Sequence, residues 1–141
     1  LKNVIFEIRG TQASLMKLAK GKRFGLLVGE DSLVSDNLLL VKFLSRVPSV
    51  ASTNGMPRGL RLALANHELY LEVTEKVVMA FRDELEKRIL AVGRELDGLN
   101  VRMMNPRYVE KAPQQLVRET RNMIAEKEEL IRRLKAQLSV I

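Results

Sequence analysis

The chain has 141 residues, is 46% hydrophobic and 29% charged, and carries a net charge of +7 with a pI near 10. Such a composition excludes an intrinsically disordered chain and bounds the fold to one modest domain or two small ones. The absence of cysteine excludes disulfides and thiolate metal sites, and no apolar run reaches the ~18 residues needed to span a bilayer.

Aromatic residues make up only 4% of the chain and tryptophan is absent, so the apolar content consists largely of Leu, Val, Ile, Ala and Met. These residues line helix seams, which favours a helix-rich fold. The basic balance suggests an acidic partner such as RNA, DNA or an anionic membrane, with plain solubility charge as the alternative. The opening LKNVIFEIRG lacks the basic-then-apolar order of a signal peptide. It starts inside an amphipathic pattern (Val4, Ile5, Ile8), as a piece of a longer chain would. A soluble, cytoplasmic protein is expected.

Residues 1–18 read as a helix weakened at Gly10, followed by a basic turn, AKGKR. FGLLVG at 24–29 fits a short buried strand. In SDNLLLVKFLSRV, Ser35 or Asp36 is placed to cap a helix that Pro48 stops. PSVAST is a second strand candidate, ended by a turn-rich stretch in which Asn54-Gly55 and Pro57 break any regular element. GLRLALANHELYLEV reads as two strands folded about Asn66-His67, with Leu60, Leu62 and Leu64 alternating and Leu69 and Leu71 doing the same. Residues 1–72 are therefore expected to form a small α+β base of βαββ type, and 73–141 a separate helical domain.

Two heptad helices are legible there. Val78, Leu85, Val92 and Leu99 recur every seven residues, with Ile89, Leu96 and Met103 as companions; Val117, Ile124, Ile131 and Leu138 do so later, with Thr120, Lys127, Leu134 and Ile141. Pairing 78 with 138, 85 with 131, 92 with 124 and 99 with 117 keeps a constant sum of residue numbers, as an antiparallel hairpin requires, and centres the hairpin on Tyr108. Ile89 against the stem of Lys127 is the weakest layer. Arms over 78–103 and 114–139 predict a projecting antiparallel coiled coil about 40 Å long at ~1.5 Å per residue. A compact bundle, or pairing with a second chain, satisfies the same periodicity.

The sequence offers no catalytic constellation. Gly21, Gly25 and Gly29 match neither a dinucleotide fingerprint nor a P-loop. Lys20, Lys22 and Arg23 form a secondary basic patch, read either as a phosphate contact or as a plain basic turn. His67 is the only histidine, so carboxylates alone could complete a metal site around it, and none is expected. Asp83-Glu84 and Glu128-Glu129 read as solvation charges beside compensating Arg and Lys.

The stretch between the heptad helices differs. Arg102, Arg107, Lys111, Arg118 and Arg121 face only Glu110 and Glu119, a net +3 over 100–121. Over 83–97 the balance is −2, with Lys87, Arg88 and Arg94 against Asp83, Glu84, Glu86, Glu95 and Asp97. Guanidinium and ammonium groups neutralise phosphates, and a tyrosine can stack on an unpaired base. Tyr108 is thus either a stacking residue or a brace packed over Met103 or Leu116. Pro113 fits the first turn of the returning helix.

Asn105, Tyr108, Val109, Lys111, Ala112 and Pro113 together resemble the tip of the C-terminal coiled-coil arm of bacterial valyl-tRNA synthetases. Glu68-Leu69-Tyr70-Leu71 resembles the strand just before that arm, and IFEIRG the last helix of the family's anticodon-binding bundle. What this resemblance implies is a tRNA-binding appendage of a class I ligase that attaches valine using ATP, its tip meeting the outer corner of tRNA where the D and T loops join. The family's His-Ile-Gly-His and Lys-Met-Ser-Lys-Ser signatures are missing, so the chain alone is expected neither to aminoacylate nor to hold a cofactor; ATP would belong to the catalytic part of a longer parent. The expected partners are tRNA, valine-specific through the resemblance only, and the remainder of a synthetase chain, with no membrane. The expected tRNA-binding residues are Arg102, Arg107, Tyr108, Lys111, Arg118 and Arg121, on a monomeric or weakly self-associating fragment. The rival reading is a coiled-coil interaction module using Leu116, Met123 and Leu130 as a second surface. A compact nucleotide-binding enzyme is a third.

Overall fold

The computed structural model describes residues 1–53, 58–64 and 66–141; the turn expected at Asn54-Gly55 and Pro57 lies outside them. The fold is α+β and divides into two compact units, Leu1–Asp83 with Val140–Ile141, and Glu84–Ser139.

The first unit opens with α1 (Lys2–Leu18), which buries Val4, Ile8, Thr11, Gln12 and Leu15, one face of a helical period. It stops in the AKGKR turn. Lys20 adopts a left-handed conformation (φ 54°) and Gly21 comes next at φ 82°, its amide donating to the Met16 carbonyl (2.8 Å) and so closing the six-residue loop that ends many helices. Gln12 then ties α1 to the next segment through Phe24, donating to its carbonyl (3.3 Å) and accepting from its amide (3.2 Å).

Four short strands, β1 (Leu26–Val28), β2 (Val50–Ser52), β3 (Leu60–Arg61) and β4 (Leu69–Leu71), form a mixed sheet in the order β2-β1-β4-β3. β1 runs parallel to β2 and antiparallel to β4, pairing Leu27 with Ala51 and with Tyr70. The expected alternation fails in β4, where Leu69, Tyr70 and Leu71 are all buried. β4 is an inner strand of the sheet, covered on both faces, so its pattern is continuous rather than period two. Burial is also the main reason the Tyr70 phenol lies above its ordinary pKa; Glu68, which accepts its hydroxyl (3.2 Å), adds to that shift.

The helical segment between β1 and β2 is broken in two, α2 (Ser32–Ser35) and α3 (Leu38–Ser45). Neither Ser35 nor Asp36 caps α3. Asp31 caps α2 instead, its carboxylate accepting from Val34 (3.0 Å), while the Asn37 carbonyl receives the Val41 amide (2.9 Å) to start α3. α3 stops at Ser45, with Arg46 left-handed (φ 57°), ahead of Pro48. His67 pairs through Nδ1 with the same buried Asp31, which joins the β3–β4 connection to the start of α2.

The long helix α4 (Glu75–Met104) starts in the first unit, where Phe81 is buried, and continues into the second. There it is succeeded by the short α5 (Pro106–Lys111) and by α6 (Gln114–Ser139). Within this unit the heptad positions are shielded. Leu85, Val92, Leu99, Val117, Thr120 and Leu134 are buried, and Ile89, Leu96, Met103, Ile124, Lys127, Ile131 and Leu138 are half-buried. Half-buried Lys127 extends its ammonium to Glu95 of α4 (2.6 Å), so its charge is paired although its side chain is partly shielded. Glu129 pairs with Arg132 on the exposed face of α6; the guanidinium holds its carboxyl below the usual range, but exposure makes such a pair worth little stability.

Gly93 and Gly98 lie within α4, and a methyl group added at either would meet nothing within 4 Å. Gly93→Ala and Gly98→Ala are each expected to stabilise the second unit by about 0.5–1 kcal/mol by removing backbone freedom from the unfolded chain. Urea midpoints of the single and double variants check this; a lower midpoint would mean that α4 bends at these positions.

Candidate nucleic-acid interface

The basic stretch around Tyr108 forms a helix of its own rather than an irregular loop. Asn105 starts it, its side-chain oxygen accepting from the Arg107 amide (3.0 Å), and Pro106 occupies the first turn, where a missing amide costs nothing. The Ala112 amide closes α5 on the Tyr108 carbonyl (3.0 Å). Pro113 stands one residue before α6, not inside its first turn, and its carbonyl accepts from Val117 (3.1 Å). A proline thereby breaks α5 from α6 while supplying the first acceptor of α6.

Tyr108 sits mid-helix and half-buried. Its hydroxyl lies 2.9 Å from Oγ1 of Thr120, which is buried and itself donates to the Leu116 carbonyl (2.9 Å). With the threonine proton committed to that carbonyl, the tyrosine is the donor of the pair. The Arg102 guanidinium lies 5.8 Å from the centre of the tyrosine ring, within cation–π range. Tyr108 therefore braces α5 against α6 and holds one cation in place. The brace works through the Thr120 hydroxyl and the Arg102 guanidinium. Thr120 is the residue that sequence reasoning missed as part of this site, and Asn105, there only one residue of the tip motif, proves to be the cap of α5; the signal for Thr120 was a hydroxyl within a heptad series.

Arg102, Arg107, Lys111, Arg118 and Arg121 are all exposed. None has a carboxylate partner at ion-pair distance among the described residues. Five solvated cations thus lie on the end of α4, α5 and the first two turns of α6, within one compact unit. No group of three or more His, Asp or Glu residues able to hold a metal ion occurs among the described residues. Nor does any helix there have the length and apolarity to cross a membrane.

Lys20, Lys22 and Arg23 lie in the other unit. All three are exposed, with Lys22 5.9 Å from the centre of the Phe24 ring and Arg23 reaching the Arg46 carbonyl (3.5 Å).

Residues 78–141 match the family described as the valyl tRNA synthetase tRNA binding arm. The chain is 35% identical to the valine–tRNA ligase of Ruegeria pomeroyi over 105 residues, 73% of this chain and 10% of that protein. It is 27% identical to the valine–tRNA ligase of Thermotoga maritima over 141 residues, 98% of this chain and 16% of that protein. To the chloroplastic/mitochondrial valine–tRNA ligase 2 of Arabidopsis thaliana it is 33% identical over 75 residues, 52% of this chain and 8% of that protein. It therefore spans only a small part of the length of the relatives it matches. With an arm match over 78–141 and ligase similarity along nearly all of its length, the chain belongs to the valyl-tRNA synthetase family, and residues 78–141 match that family's tRNA-binding arm.

Proposed function

We propose that this chain is the C-terminal tRNA-binding region of a valine–tRNA ligase and that α5 and its flanks contact the outer corner of tRNA. The observation that carries the reading is the group of exposed, unpaired cations gathered around a braced tyrosine in the segment that matches the arm family. Under this reading α4 and α6 pack as an antiparallel coiled coil, supported by the shielded heptad positions and the Lys127–Glu95 bridge. Arg107, Lys111, Arg118 and Arg121 hold phosphates; Arg102 does so from its place beside the Tyr108 ring. Valine and ATP are handled by the rest of the ligase, in the cytoplasm, and this region adds affinity for tRNA. Phosphate contacts carry no sequence information, so discrimination of the valine tRNA rests with other parts of the protein.

The double variant Arg107→Ala/Lys111→Ala is expected to weaken tRNA binding at least about tenfold. Its log-affinity against log-salt slope should become shallower by about 1.5, as two phosphate contacts are lost. Fluorescence anisotropy across a salt series measures both quantities. Affinity and slope equal to those of the parent protein would remove α5 from the contact.

A second reading, a coiled-coil interaction module, is favoured by Leu116 and Met123, each 44% exposed on α6. A stable dimer in sedimentation without RNA, abolished by Leu116→Lys/Met123→Lys, would favour it over tRNA binding.

A further inference from the structure

We propose a second RNA-contact surface, on α3 of the first unit, with Phe43 as a base-stacking platform and Lys42, Arg46 and Arg23 as its phosphate contacts. α3 buries Val41 and Ser45 and turns much of its apolar content outward. Leu39 is 85% and Phe43 79% exposed, and they are four residues apart, so they form one ridge along the helix. Lys42 stands on the helix next to Phe43, and Arg46 follows at the left-handed end of α3. Arg23 joins them from the start of the β1 segment by donating to the Arg46 carbonyl (3.5 Å), where the C-terminal end of α3 favours a cation. Together Arg23, Leu39, Lys42, Phe43 and Arg46 line much of an open groove of about 560 Å³.

The charged residues lining this groove, Arg23, Lys42 and Arg46, are all cations. The sequence contains no Asp or Glu between Glu7 and Glu30, or between Asp36 and Glu68, while Lys17, Lys20, Lys22, Arg23, Lys42 and Arg46 fall in those intervals. Lys42 and Arg46 have no carboxylate at ion-pair distance among the described residues. A largely solvated aromatic ring beside unpaired cations suits a single-stranded or looped nucleic acid, whose bases offer a stacking face and whose backbone offers the charge. Neither feature needs a built pocket, which agrees with the open groove. The proposal takes RNA as partner from the tRNA reading, but none of its residues belongs to the α5 site.

The test titrates unfractionated tRNA into the 141-residue chain and three variants, followed by anisotropy over a salt series. Lys42→Ala/Arg46→Ala should lower affinity at least about fivefold and flatten the salt slope by about 1.5. Phe43→Leu keeps both charge and apolarity, and should lower affinity at least about fivefold with an unchanged slope, because only a ring stacks. All these side chains are exposed, so thermal melts should match the parent chain. The third variant, Arg107→Ala/Lys111→Ala, separates this surface from the α5 site: loss in the α3 variants alone upholds the α3 surface and overturns the α5 reading. Parent-like affinity in Lys42→Ala/Arg46→Ala overturns the α3 surface whatever the α5 variant does. Parent-like affinity in Phe43→Leu alone overturns stacking and assigns the apolar ridge to a protein partner.

Discussion

Gly59→Ala is expected to destabilise the first unit by at least about 3 kcal/mol. Gly59 stands immediately before β3 at φ 86°, a left-handed conformation that costs an alanine roughly 1–2 kcal/mol. Sterics add to this. A methyl group at Gly59 would lie 2.1 Å from the Leu71 carbonyl oxygen and 3.1 Å from its carbon, both backbone atoms. Relief would require moving Leu71, which pairs with Leu60 on one side and with Leu26 on the other, so the overlap cannot close without disturbing two strand pairs. Small domains have total stabilities of roughly 5–15 kcal/mol, which makes such a loss a large part of the whole. The measurement is the urea midpoint, together with amide-exchange protection of β1 and β4. Gly10→Ala is the control, since an added methyl there meets nothing within 4 Å of an exposed helical position and should be neutral or mildly stabilising. A parent-like midpoint for Gly59→Ala would mean that β3 is not held against β4 in this register.

The second unit was largely legible in the sequence because its signal is periodic. Two series repeating every seven residues identify the shielded face of each helix without help from distant residues, and the burial of Leu85, Val92, Leu99 and Val117 matches that pattern. α5 was not legible, since six residues are too few for a period to emerge. The first unit was read well in outline and less well at its boundaries. Asp31, Ser35, Asp36 and Asn37 can all begin a helix, and the choice of Asp31 is tied to His67, a residue 36 positions away. Likewise the inner position of β4 depends on the order of the whole sheet, so its burial on both faces could not be read from its three residues.

For the sites, composition located the charge and not its neighbours. Arg102, Arg107, Lys111, Arg118 and Arg121 stand out in sequence because they are close together in the chain. Arg23 and Arg46 are 23 residues apart and meet only because the start of β1 lies beside the end of α3. The role of Tyr108 was open for the same reason: whether its ring stacks or braces depends on Thr120, twelve residues away on another helix. Local composition can thus indicate that a surface is basic, but which side chains are already engaged is a property of the fold.

Gln12→Leu is expected to cost the first unit about 2–4 kcal/mol, although it places a hydrophobic side chain of similar size in a buried site. Gln12 is 4% exposed, and its amide serves both polar backbone groups of Phe24, with carbonyl and amide at 3.3 and 3.2 Å. Phe24 is itself buried and precedes β1, so no strand pairing is available to take over these bonds. Leucine would leave one donor and one acceptor buried without partners, each costing about 1–3 kcal/mol, partly offset by the favourable burial of an apolar side chain. Gln12→Ala should cost more, because a cavity adds to the two lost bonds. Gln12→Glu supplies an acceptor for the Phe24 amide but sets a carboxylate oxygen against the Phe24 carbonyl, so it should also destabilise although its shape is nearly unchanged. Urea midpoints rank the three variants, and the exchange rate of the Phe24 amide reports directly on the bond. If Gln12→Leu were as stable as the parent chain with Phe24 still protected, water or another side chain would be satisfying Phe24, and α1 would be held to the sheet by apolar packing alone.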